Sequence, residues 1–163
     1  MNAGFSKTAT NYDTIIGINA AYNLNGGDGS NTIIGSDAAY YQNIAAASVI
    51  IGQQAMYGSA TTDNAYRNVV IGNHALQQNV TGDNNVSVGF KSGYKNVGNY
   101  NVFLGSQVSA SAVGVDHEIV IGAGTSTSTW LEGGGTETTR IGNTTDFITN
   151  DFGENATWTH SSD

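Results

Sequence analysis

Apolar residues along this chain arrive in short, evenly spaced pulses. Each pulse is three residues long, rich in β-branched side chains, preceded by a polar residue and closed by glycine. The copies are Asp13-Thr-Ile-Ile-Gly17, Asn31-Thr-Ile-Ile-Gly35, Ser48-Val-Ile-Ile-Gly52, Asn68-Val-Val-Ile-Gly72, Asn85-Val-Ser-Val-Gly89, Asn101-Val-Phe-Leu-Gly105 and Glu118-Ile-Val-Ile-Gly122. Thr139-Arg-Ile-Gly142 is a worn eighth copy. Successive glycines lie 18, 17, 20, 17, 16, 17 and 20 residues apart, which defines an internal repeat. The pulses predict strand. Glycine interrupts every period, and no i, i+3, i+4 stripe outlasts one turn, so helix is disfavoured.

The pattern continues past each glycine. Ala20, Ala38, Ala55 and Ala75 stand three residues after theirs, with Ser92 in the fifth copy. Tyr22, Tyr40, Tyr57 and Tyr94 stand five residues after theirs, a shared register that points to packing between coils. Polar returns such as Asn25-Gly-Gly-Asp-Gly29 and Thr81-Gly-Asp-Asn84 carry turn chemistry. The expected fold is all-β, a parallel β-roll or β-solenoid of about eight coils of ~17 residues, roughly 38 Å long. Residues 1–12 form a short lead-in, 13–145 the repeats and 146–163 a non-repeat end. Glycine suits the coil corner, and Asn at the strand start suits an amide ladder between stacked coils.

Adjacent apolar residues within a pulse set the expected assembly. Ile33 and Ile34, Ile50 and Ile51, Val70 and Ile71, and Phe103 and Leu104 must point to opposite faces of their strands. One of each pair fills its own coil, and the other adds to an apolar stripe outside. A stripe of that length calls for a parallel homo-oligomer.

Composition narrows the classes. The chain has 163 residues, 22 of them Gly, with 19 Asn, 18 Thr and 14 Ser, no Pro and no Cys. Disulfide scaffolds and Cys-ligated metals are excluded, as is collagen. Absent proline leaves every ladder N–H available. Five basic against thirteen acidic residues, net −8, argue against nucleic acid and anionic lipid as partners. No apolar run approaches ~18 residues, so no membrane insertion is expected, and Met1–Thr10 has no signal-peptide core.

The phrases Asn-Val-Val-Ile-Gly72-Asn-His-Ala75 and Asn-Val-Phe-Leu-Gly105 resemble the head repeats of trimeric autotransporter adhesins and the shaft repeats of bacteriophage tail fibres. The resemblance runs from Asp13 to about Gly142. It implies a homotrimer, a left-handed β-roll whose apolar strands face the three-fold axis. It further implies a tail-fibre or spike segment of a virion, partnered by itself, by other fibre or virion proteins and by a host surface glycan or protein. The alternative it leaves is the head of a bacterial trimeric adhesin at the cell surface. The terminal Ser162-Asp163 is similar to the pair cleaved between phage fibres and an endosialidase-type chaperone.

Other chemistry is sparse. Gly26-Gly-Asp-Gly-Ser-Asn-Thr-Ile-Ile34 resembles a calcium nonapeptide but occurs once, which favours a plain turn. His74, His117 and His160 have no ligand spacing, and no nucleophile elbow is present, so neither cofactor nor enzymatic activity is expected. A glycan-cleaving spike would need a carboxylate pair that the sequence does not single out, and an ice-binding solenoid would need regular Thr columns. Asn79-Val-Thr81, Asn143-Thr-Thr145 and Asn155-Ala-Thr157 match the glycosylation sequon at no more than chance frequency. The candidate receptor contacts are aromatic: Trp130 in the irregular 126–136 stretch, Tyr41, Tyr66 and Tyr100.

Overall fold

The structure, a computed structural model, describes residues 3–4, 12–59, 63–79, 81–94, 98–122, 138–142, 147–151 and 159–160. Every described element is β. The chain divides into two compact units, Met1–Ser128 and Thr129–Asp163.

Each apolar pulse of the first unit is a three-residue strand, short because a glycine corner follows at once. They are β1 (Thr14–Ile16), β3 (Thr32–Ile34), β5 (Val49–Ile51), β7 (Val69–Ile71), β8 (Val86–Val88), β9 (Val102–Leu104) and β10 (Ile119–Ile121). They form one seven-stranded parallel sheet in chain order, residue over residue: Ile15, Ile33, Ile50, Val70, Ser87, Phe103 and Val120 align. Strands in chain order and strictly parallel require one turn of a solenoid between each pair, hence six turns. A second parallel sheet comprises β2 (Gly26–Gly29), β4 (Gln42–Ala46) and β6 (Asp63–Tyr66) on the return side of the early coils. Beyond β6, side chains replace that sheet. Tyr66 N–H donates to Asp83 Oδ1, Asp83 N–H to Asn99 Oδ1, and Asn99 N–H to Asp116 Oδ1.

Alternation along each strand decides what is buried. The middle residue points inward, so Ile33, Ile50, Val70, Ser87 and Phe103 are fully buried. They pack on Ala20, Ala38, Ala55, Ala75 and Leu76, which turn inward after the corner. Ser87 breaks the apolar column, and its neighbours compensate. A methyl group on Gly93 would sit 2.6 Å from Leu76 Cδ1 and 2.9 Å from Phe103 Cδ2. The Phe103 ring therefore occupies space that a larger residue at Gly93 would need. The Ser87 hydroxyl is satisfied by the Ser92 carbonyl at 2.7 Å.

Tight coils come from a repeated left-handed backbone. The second residue after each glycine has φ of 52–60° (Asn19, Asp37, Gln54, His74, Lys91, Gln107), and the residue before each Asn-column position from Ser30 to His117 has φ of 52–64°. Such conformations cost L-residues roughly 1–2 kcal/mol each. They persist because they aim backbone groups at the adjacent coil. His74 N–H donates to Gln53 C=O, Lys91 N–H to Asn73 C=O and Gln107 N–H to Phe90 C=O, at 2.7–3.0 Å. Gly4 N–H donates to Ala20 C=O, the bond that Ala21 makes to Ala38 one coil on.

The Asn column is a side chain-to-backbone ladder rather than the amide-to-amide ladder expected. Asn68 Oδ1 accepts the Asn85 N–H at 2.8 Å, and Asn68 Nδ2 donates to Gly82 C=O at 2.9 Å. Asn85 and Asn101 repeat the pattern, the latter with Glu118 N–H and Val115 C=O. A spacing of one coil brings the next backbone N–H closer to the oxygen than the next side-chain amide.

The eighth phrase corrects the expected count of coils. Thr138–Gly142 is β11, which pairs antiparallel with β12 (Phe147–Asp151), and β12 pairs antiparallel with β13 (Thr159–His160). Its sequence explains why it leaves the stack. Arg140 stands at the inward position held by Val120 and Phe103, where a guanidinium would be desolvated inside a coil. Thr138 stands at the Asn position and has no amide to donate.

Candidate functional site

The residues flanking each strand centre face outward, and most are apolar. One column reads Thr14, Thr32, Val49, Val69, Val86, Val102, Ile119. The other reads Ile16, Ile34, Ile51, Ile71, Val88, Leu104, Ile121. None is buried; Ile16 is 57% exposed and Ile119 66%. Twelve of fourteen positions are Val, Ile or Leu, so this sheet is apolar on both faces, as parallel sheets covered on both sides are. Six coil spacings make the face about 29 Å long. Tyr12, 92% exposed, precedes it at the first coil. This outer face is a candidate site of the solenoid, and another apolar surface complements it.

A second feature is aromatic. Tyr22, Tyr40 and Tyr57 stack with centroids 4.9 and 5.2 Å apart. Tyr41 meets Tyr40 and Tyr57 edge-on at 4.7 and 5.2 Å. Stacking follows directly from equal register in successive coils, and it hides the ring faces of Tyr40. Burial, then the neighbouring phenols and Asp37, push the Tyr40 and Tyr57 hydroxyls above the ordinary tyrosine value. The neutral phenol is thus favoured in the fold. Stability from the cluster is intact below about pH 10 and falls as pH rises through the raised values. Alkaline ultraviolet titration should show a late-ionising tyrosine fraction that shrinks in Tyr40→Phe; simultaneous ionisation of all tyrosines at the ordinary value would count against the cluster.

Among the described residues, the expected receptor contacts Tyr41, Tyr66 and Tyr100 do not come together. Tyr41 belongs to the stack after the second corner. Tyr66 is half-buried at the end of β6, held by Asp83. Tyr100 is 55% exposed and stacks on His117 at 5.0 Å, two coils beyond Tyr66. Trp130 lies outside the described residues, as do the Asn143 and Asn155 sequons and Ser162-Asp163. Asn79 is fully buried, bonded through its amide to Gly82, and so is closed to glycosylation. Among the described residues no three His, Asp or Glu side chains converge, and no helix is long and apolar enough to cross a membrane.

One cluster was not foreseen. Phe90, Lys91, Tyr94 and His74 meet at the corners of the fourth and fifth coils, with the Lys91 ammonium 5.3 Å from the Phe90 ring centre and 5.9 Å from that of Tyr94. The available signal was positional. Phe90 directly follows its glycine, where Ile18 stands in the first coil and Ser36, Gln53, Asn73 and Ser106 in others.

The fold defines the protein as a β-solenoid repeat protein with one outward apolar sheet face. Compared with protein-family models, curated proteins and solved structures, the chain matches none.

Proposed function

We propose that the chain is a segment of a homotrimeric fibre or spike of the tail-fibre kind, a stiff, structural element that holds adhesive surfaces for a host. The observation that carries this reading is the outward face of the seven-stranded sheet, apolar along two columns and about 29 Å long. Three copies placing these faces around a common axis bury them in a closed arrangement, whereas a solenoid alone leaves them in water. The phrases that resemble fibre and adhesin repeats lie on these same strands. Three chains carry 3 × −8 = −24 charges, which opposes association beyond the closed assembly. Rigidity and three-fold copy number are the mechanism: weak surface contacts add through effective concentration.

Solution mass tests it. Light scattering after gel filtration should give 3 × 16.9 = 50.7 kDa. Ile51→Asp, which places a carboxylate mid-face without touching the coil interior, should shift the species toward the single-chain mass or into aggregates. A wild-type chain that runs as a monomer in dilute buffer would overturn the assembly.

A further inference from the structure

The Phe90–Lys91–Tyr94 corner stands out against an acidic, amide-rich surface. Lys91 is half-buried, its ammonium held beside two aromatic rings. The residues stacked beneath and above it in the same backbone position are His74 and Gln107, so neither supplies a carboxylate. Asp37, the nearest acid of that column, is three coils away, about 14 Å, beyond the ~10 Å screening length at 0.1 M salt. Phe90 is 42% exposed at a position that other coils give mainly to Ser, Gln or Asn. Gln78 Nε2 reaches the Tyr94 hydroxyl at 3.5 Å, which adds polar groups beside the rings.

We propose that this corner binds a carboxylate-bearing polysaccharide. A cation braced by rings presents its charge to a sugar carboxylate, and the exposed Phe90 ring offers an apolar surface to sugar C–H groups. Gln78 and the Tyr94 hydroxyl provide a donor and an acceptor for sugar hydroxyls. A neutral glycan would make the ring contact without the charge pair. The inference rests on the fibre reading for its strength, since three such corners at one level of an assembly would engage one polymer together.

The position itself supplies clean variants. Lys91→Gln introduces the residue already present at Gln54 and Gln107 in the same backbone conformation, and Phe90→Ser the residue present at Ser36 and Ser106. Both should therefore fold, and circular dichroism checks that they do. Binding is measured on biosensor surfaces bearing polygalacturonate, polysialic acid or, as uncharged control, dextran. The wild type is expected to bind at least one of the two acidic polymers and not dextran. Lys91→Gln should weaken this about tenfold and Phe90→Ser severalfold, while Lys91→Arg retains it. Arg67→Gln, which removes the same charge from an exposed site elsewhere on the fourth coil, should leave it unchanged. Absence of binding to both acidic polymers, full retention in Lys91→Gln, or an equal loss in Arg67→Gln would overturn the site. Light scattering on the same samples separates this failure from loss of the assembly: a trimer that does not bind sinks the corner alone.

Discussion

Gly72→Ala is expected to abolish the cooperative unfolding transition of the solenoid. Gly72 has φ of +137°, a region closed to residues with a side chain, and its missing Cβ faces the backbone of the next coil. A methyl group there would press on the Gly89 carbonyl, 2.6 Å from its carbon. Neither partner is a flexible side chain that can swing away. The strand spacing is set by hydrogen bonds on both sides, Gly72 N–H to Ile51 C=O and Gly89 N–H to Ile71 C=O, both 2.8 Å. Relief therefore requires opening the sheet between β7 and β8. Strain and overpacking together should exceed about 4 kcal/mol, a large share of the 5–15 kcal/mol that holds a domain folded. In a repeat architecture this damage concentrates at one inter-coil boundary and divides the stack. Gln54→Gly makes the opposite change at a corner with φ of 53°, where glycine is unstrained, and should stay within about 1 kcal/mol of wild type. Thermal unfolding followed by circular dichroism at fixed protein concentration compares the two. A Gly72→Ala chain melting within a few degrees of wild type would show that the glycine column is not a spacing constraint.

Period, strand position and the two-faced strand were legible because each is written locally. Three β-formers before a glycine leave no choice of element, and adjacent apolar residues such as Ile50 and Ile51 cannot share a face. Equal register of Tyr22, Tyr40 and Tyr57 likewise becomes the observed stack. What depended on neighbouring coils was harder to read. The eighth phrase kept the Ile-Gly ending, yet Arg140 at the inward position outweighs that likeness. Only knowing that the central residue of the triplet points inward makes the conflict visible. Ser87 interrupts the apolar column, and only the fold shows that the Phe103 ring of the next coil fills the space left by Gly93. The left-handed residues were hidden altogether. His74, Lys91 and Gln107 share no side-chain chemistry and adopt φ > 0 because inter-coil bonds demand it. For the same reason Lys91 could not be placed against Phe90 and Tyr94 from spacing alone.

Asn85 carries the second large effect, and its column holds its own control. Its Oδ1 accepts the Asn101 N–H at 2.9 Å, and its Nδ2 donates to Gly98 C=O at 2.9 Å. The residue is fully buried, so water cannot replace either bond. Asn85→Leu keeps the approximate volume and strands both backbone groups, at about 1–3 kcal/mol for each, or roughly 2–6 kcal/mol in total. Asn85→Ser should cost less. Ser48 already fills this column, its hydroxyl accepting the Asn68 N–H at 3.1 Å and donating to Ala46 C=O at 3.2 Å. Asn85→Asp separates the two roles, because a carboxylate still accepts from Asn101 but meets the Gly98 carbonyl without a proton to donate. Burial and that carbonyl raise the folded pKa of the new acid above its unfolded value of about 3.9. The variant should then approach wild type near pH 4 and lose stability as pH rises through the folded value, a trend the wild-type side chain cannot show at this position. The native column agrees with this logic. Its carboxylates, Asp13 and Glu118, stand only at the first and last rungs. Asp13 accepts both the N–H and the Nδ2 of Asn31, and Glu118 accepts the Ser111 N–H. Equal stability of Asn85→Leu and Asn85→Ser in chemical denaturation would mean that the ladder contributes packing alone, and a pH-independent Asn85→Asp would mean that the Gly98 carbonyl finds another donor.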